Sequence, residues 1–186
     1  MKVYRCQTAG YQSARPTSDE DRLSGIAVSP LGSFKDVVFP SFYIDTLKPK
    51  RGNFFGFRTS TFIFDAVAES ALGKIVELAG ESYVIDVEDV GQLTFLNPLE
   101  TCEEALNTDE TVYRRNDGKT KYGLLERVFY PDKIVTKTGL FRIPDDRYSK
   151  QYVVTESPHQ ELDFYKCYHE NALTGLKFEL MWESSD

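Results

Sequence analysis

The clearest alternation of apolar and polar side chains lies at the end of the chain. Leu176, Phe178, Leu180 and Trp182 alternate with Lys177, Glu179, Met181 and Glu183, which predicts a half-buried strand with one apolar face. Upstream of it, Leu140, Phe141 and Ile143 form a short apolar run closed by Pro144 and the turn formers Asp145 and Asp146. Tyr152, Val153 and Val154 predict another strand. Pro158, preceded by the capping residues Thr155 or Ser157, then predicts a helix that carries Leu162, Tyr165, Cys167, Tyr168 and Leu173 and stops at Gly175.

The same reading extends to the rest of the chain. Val67, Ala68, Ala71, Leu72, Ile75 and Leu78 recur at helical spacing between Asp65 and Gly80, with Gly73 as a weak point inside. Tyr83, Ile85 and Val87 alternate with Val84, Asp86 and Glu88 as a strand with one wet face, and Leu93–Leu96 follows as a second. Asn97–Pro98 is expected to open a further helix, with Glu100, Glu103 and Glu104 near its positive end and Ala105 and Leu106 facing inward. Asn116–Asp117–Gly118 is a turn signal, and residues 122–135 predict a hairpin or a helical turn feeding a strand.

Toward the start, residues 2–6 predict a strand, and 8–25 a polar loop with the charge cluster Asp19 to Arg22. Residues 25–28 are short and apolar. Residues 37–44 predict an edge strand broken at Pro40, which cannot donate to a ladder. The fold class expected is α+β: a mixed, mainly antiparallel sheet packed by two or three helices, with a β- and loop-rich N-terminal portion. Residues 1–60 form that portion and 61–186 the α+β body, or the two make one continuous domain.

Composition narrows the class. Hydrophobic residues make up 41% of the 186, and 13 Phe with 11 Tyr are enough to build a sizeable core, so disorder is not expected. A net charge of −7 argues against non-specific nucleic-acid binding and suits a basic partner. Cys6, Cys102 and Cys167 are an odd, widely spaced set, which fits free thiols in a reducing, cytoplasmic setting rather than a disulfide framework. The first residues are too polar for a signal peptide, and no apolar run reaches membrane-helix length, so no membrane partner is expected.

Candidate chemistry is sparse. On a helix, His159 and His169 fall out of register and about 15 Å apart along the axis, too far to share a metal. Cys167 and His169 do not share a helical face, and nucleotide, phosphate-loop, zinc-protease and serine-hydrolase signatures are absent from the sequence. No catalytic residue, metal or cofactor is expected. Glu81, Asp86, Glu88 and Asp89 gather around one strand and form either a patch for the lysines and arginines of a partner or a solvated face. Phe54, Phe55, Phe57, Phe62 and Phe64 either pack the core or line a small-ligand pocket, with core packing expected. Residues 48–52 (KPKRG) form a basic turn that is either solvated or an anion contact.

The order of signals from Phe62 to Trp182 resembles immunity family eleven of bacterial polymorphic toxin systems, formerly a domain of unknown function. The likeness rests on DAVAESALGKIVELAG followed by YVIDV, then FLNPLE, GLFRIP and YVVTES, and the closing Gly-Leu-x-Phe at 175–178. The resemblance implies a cytoplasmic α+β protein that binds and neutralises a cognate protein toxin encoded nearby, with no active-site residues to carry over. The other readings are an enzyme or small-ligand protein with a pocket near Phe54–Phe64, and a homodimer paired through an exposed edge such as the terminal strand.

Overall fold

The structure is a computed structural model that describes residues 1–17, 33–35, 38–57, 61–116, 120–144 and 151–184. The charge cluster at 19–22, the apolar run at 25–28, the turn residues Asp117 and Gly118, and Asp145–Asp146 lie outside them.

Two sheets and a hairpin make up the β structure. The first sheet has strand order β10-β11-β1-β12, formed by Leu140–Phe141, Gln151–Thr155, Lys2–Thr8 and Leu176–Glu183, with every pair antiparallel. The second has order β2-β3-β6-β7-β5-β4: Ser13–Pro16, Phe42–Asp45, Gly80–Val87, Gly91–Pro98, Phe62–Phe64 and Phe54–Phe55. All its pairs are antiparallel except β3 with β6. β8 (Val112–Asn116) and β9 (Thr120–Glu126) pair as a separate hairpin. The described helices are short: α1 (Ala66–Leu72), α2 (Lys74–Ala79) and α3 (Phe164–Glu170). The fold is α+β with mainly antiparallel sheets, and its N-terminal part is rich in strands.

Alternation along the strands sorts the side chains into three cores. Cys6, Val153 and Leu140 of the first sheet meet Phe54, Phe62, Phe64 and Leu96 of the second, and α1, α2 and α3 pack on this shared core. The opposite face of the first sheet carries Val3, Phe141, Tyr152 and Val154 and is covered by Ala105, Leu106, Phe129 and Ile134. The opposite face of the second carries Phe55, Ile63, Ile85, Val87 and Phe95, covered by Phe34 and Phe39.

Several expectations are corrected by the structure. The predicted helix between Asp65 and Gly80 is two helices, because Gly73 adopts φ +47°, outside the helical region. Asp65 does cap the first, accepting from Ala68 N–H at 3.0 Å. The helix expected at Asn97–Pro98 does not form. β7 runs through Pro98, and the following N–H groups bond distant carbonyls: Leu99 to Ala79 at 2.9 Å, Cys102 to Arg142 at 2.9 Å and Asn107 to Val128 at 2.8 Å. Glu100, read as a helix acid, instead accepts from Thr136, Thr138 and the Lys137 N–H and clamps that loop.

The last helix starts at Phe164 rather than Pro158. Glu161 and Leu162 N–H both donate to the Lys137 carbonyl at 2.9 Å, and Phe164 N–H donates to Thr138 at 3.0 Å, so this segment is tied across the chain before it can coil. Asp163 is the cap, accepting from Lys166 N–H at 2.9 Å. Past the helix, Ala172 takes the left-handed conformation (φ +50°), and Gly175 enters β12 at φ +110°. A Cβ on Gly175 would lie 2.4 Å from the Phe54 carbonyl oxygen, so glycine is required there by close approach as well as by backbone conformation.

β3 is not an edge strand, since β2 pairs on its outer side. Residues 122–135 contribute the second hairpin strand and a 3-10 turn at Pro131–Lys133. The terminal strand keeps its alternation only as far as Leu180. The register shifts so that Val3 faces Trp182 while Tyr4 faces Leu180, which leaves Met181 as an extra, bulged residue. Met181 and Trp182 therefore both pack on the second core, and Leu180 is 50% exposed.

Candidate functional site

A half-open cleft of about 500 Å³ lies where β3 and the β6–β7 turn approach residues 50–52. It is lined by Gln12, Tyr43, Ile44, Thr46, Arg51, Glu88, Asp89 and Val90. Four stretches of chain build it, held by backbone hydrogen bonds and by the side chain of Asp45. Glu88 N–H donates to Phe42 O at 2.7 Å, which fixes the acidic turn against β3. Gln12 N–H donates to Lys50 O at 2.9 Å, which brings the basic turn against the segment before β2. Asp45 binds Arg15 at 2.6 Å and accepts from Leu47 N–H at 3.0 Å, which shapes the turn carrying Thr46. Asp89 sits at φ +60°, a conformation aspartate tolerates better than most residues, and this bend places it beside Glu88 on the rim.

Both signs of charge line this cleft. The Arg51 guanidinium lies 5.9 Å from the centre of the buried Phe55 ring, a cation–π placement that anchors it at the cleft wall. Among the described residues, no ion pair joins Arg51 to Glu88 or Asp89. Glu88 and Asp89 are both exposed at the cleft rim.

The structure brings together two of the four predicted acidic residues and separates the others. Asp86 projects from the solvent-exposed face of β6 and accepts from Gln92 Nε2 at 3.4 Å. Glu81 is five residues upstream of Asp86, about 16 Å along an extended strand. It lies on the other face of β6, in the same alternating set as the buried Ile85 and Val87.

Glu81 also has internal work. It accepts from Ser33 Oγ, from Phe34 N–H at 2.8 Å and from Asn97 Nδ2 at 3.3 Å. Burial pushes its pKa up, but the hydrogen bonds from Ser33, Phe34, Asn97 and Tyr83 outweigh that effect and hold it below the usual carboxylate range. Asn97 accepts in turn from the Arg142 guanidinium at 2.8 Å. Arg142 is only 1% exposed, and burial lowers its pKa to about 10. An acid, an amide and a base thus form one polar chain from the Phe34 segment to the first sheet. Glu81 belongs to that structural chain, not to the acidic rim.

The phenylalanine cluster is core. Phe54 and Phe55 lie on opposite faces of β4 and enter different cores, and Phe54, Phe62, Phe64 and Phe164 pack ring on ring at 5.3–6.3 Å. Phe57 alone of the five is half-buried. It borders a shallow cleft of about 290 Å³ with Ser13, Ala14, Arg15, Pro16 and Gly56.

No group of three or more His, Cys, Asp or Glu able to hold a metal occurs among the described residues. His169 is exposed and lies against Tyr165 at 4.4 Å, away from His159 in the turn before α3. Burial raises the thiol pKa at Cys6, Cys102 and Cys167, at Cys102 to about 11, so all three are poor nucleophiles near neutral pH. No described helix is long and apolar enough to cross a membrane.

The residues missed by sequence reading are Gln12, Tyr43, Thr46 and the Asn97–Arg142 pair. Arg51 was visible only as part of the basic KPKRG run. No family model matches the chain, and no curated protein is similar to it.

Proposed function

We propose that the protein binds another protein by surface fit, as its resemblance to the immunity family implies, and that the partner is a toxin encoded nearby. The observation that carries this reading is the cleft between β3 and the β6–β7 turn, where the exposed Glu88 and Asp89 stand beside Tyr43 and Arg51. A basic side chain of the partner enters this cleft and meets both carboxylates, and Asp86 extends the acidic surface along β6. A net charge of −7 speeds the encounter with a basic domain.

Co-purification with the product of the neighbouring gene tests the proposal. The Glu88→Lys/Asp89→Lys double variant is expected to weaken that complex by tenfold or more, about 1.4 kcal/mol or above. A Glu81→Gln variant whose fold is verified by circular dichroism is expected to keep the wild-type affinity. A neighbouring gene that encodes no toxin, together with no captured partner, sinks the proposal. A complex indifferent to the double variant moves the interface elsewhere.

A further inference from the structure

Among the described residues, β12 is the outer strand of the first sheet and is paired only on its β1 side. The N–H and C=O groups of an antiparallel strand point alternately to its two sides. Leu176 N–H reaches the Tyr168 hydroxyl at 3.1 Å, away from β1, and this fixes the phase. Leu176, Phe178 and Leu180 point outward, while Lys177 and Glu179 point toward Gln7 and Arg5. The Tyr168 hydroxyl also donates to the Leu176 carbonyl at 3.4 Å, so that position is capped. Beyond Leu180 the bulge at Met181 interrupts the edge. Phe178 and Leu180 remain. Among the described residues, their two outward N–H and two outward C=O groups have no hydrogen-bond partner.

We infer that this edge pairs with the same edge of a second copy of the chain. Two free residues spaced two apart are their own antiparallel complement: Phe178 opposite Leu180 of the copy, and Leu180 opposite its Phe178, satisfy all four groups on each side. Two four-stranded sheets become one of eight strands, related by a two-fold axis that passes between the Glu179 side chains.

The two Glu179 carboxylates face each other across the axis, a like-charge contact that the Arg5 of each sheet offsets. Each Glu179 is already ion-paired with Arg5 of its own sheet. Lys177, which forms no ion pair in its own chain among the described residues, falls diagonally across from Glu179 of the copy. On the other face Leu180, 50% exposed, meets Phe178 of the copy beside the stacked rings of Tyr4 and Tyr165. Two strand edges fall well short of the ~1,600 Å² of a standard interface, so the dimer is weak and concentration-dependent.

Sedimentation equilibrium of the full chain tests this. The average mass is expected to rise from 21.3 kDa toward twice that value at high micromolar protein. Leu180→Pro removes an outward N–H without touching the ladder to β1, and Leu180→Lys places a charge on the contact; both are expected to hold the chain monomeric. Circular dichroism and melting temperature confirm that each variant is folded, and if the proline variant is not, the lysine variant decides. A wild-type chain that stays monomeric throughout, or a dimer that survives both substitutions when folded, overturns the inference.

Discussion

Gly175 shows how tightly single positions are set. Its φ of +110° and the 2.4 Å approach of a built Cβ to the Phe54 carbonyl leave no room for alanine. Gly175→Ala is expected to destabilise the fold by about 2–3 kcal/mol, because backbone rather than a flexible side chain must move; chemical denaturation measures it. Glu81 makes a pH-dependent contribution. Its folded pKa lies below the ordinary value, so the stability it supplies is complete above the unfolded pKa of about 4.3 and fades as pH falls through the folded value. The gap in melting temperature between wild type and Glu81→Gln is therefore expected to be widest near neutrality and to close in acid. Arg142→Ala removes the guanidinium donor from the Asn97 carbonyl oxygen inside the protein and is expected to cost about 1–3 kcal/mol. An equal loss for a conservative substitution at an exposed arginine such as Arg51 would contradict this account.

Among the elements, α1 depends most on one side chain. Asp65 caps the helix and also accepts from Asn53 Nδ2 at 3.2 Å, while Asn53 Oδ1 accepts from Thr174 N–H at 3.0 Å. One carboxylate therefore links the start of α1 to the strap before β4 and to the entry of β12. Asp65→Ala is expected to lose about 1–2 kcal/mol in equilibrium unfolding, at the upper end for a cap. The elements legible in the sequence were those whose reasons are local. β6 alternates as expected, β7 forms where Leu93–Leu96 predicted a strand, and Asp65 and Gly80 bound the helical stretch. The elements misread were those whose hydrogen bonds run to distant partners. Pro98 looked like a helix start, yet the N–H groups after it belong to Ala79, Arg142 and Val128. The bulge at Met181 arises from pairing with a strand at the other end of the chain, and nothing within residues 176–183 announces it. The cleft was half legible for the same reason. Glu88 and Asp89 share one turn, whereas Gln12, Tyr43 and Arg51 reach it only through sheet topology.

Across the whole molecule, two of the three cores shelter a thiol. Cys6 sits in the shared core and Cys102 in the second, both nearly fully buried, while Cys167 is half-exposed. An aromatic disulfide reagent is expected to modify Cys167 slowly in the native protein and all three cysteines after denaturation. Rapid native reaction at Cys6 or Cys102 would contradict the packing of those cores. The acidic cleft and the β12 edge lie on different sheets, so partner binding and self-association can be varied independently by substitution. The pairing of β1 with β12 also has a consequence for synthesis. Residue 2 finds its neighbours only when residues 151–155 and 176–183 exist, so the central strand of the first sheet leaves the ribosome long before either flank. Until then, the second sheet's hairpin of β6 and β7 is the natural place for order to begin, and the newborn chain holds Val3 and Cys6 in the open, where chaperones and proteases reach them first.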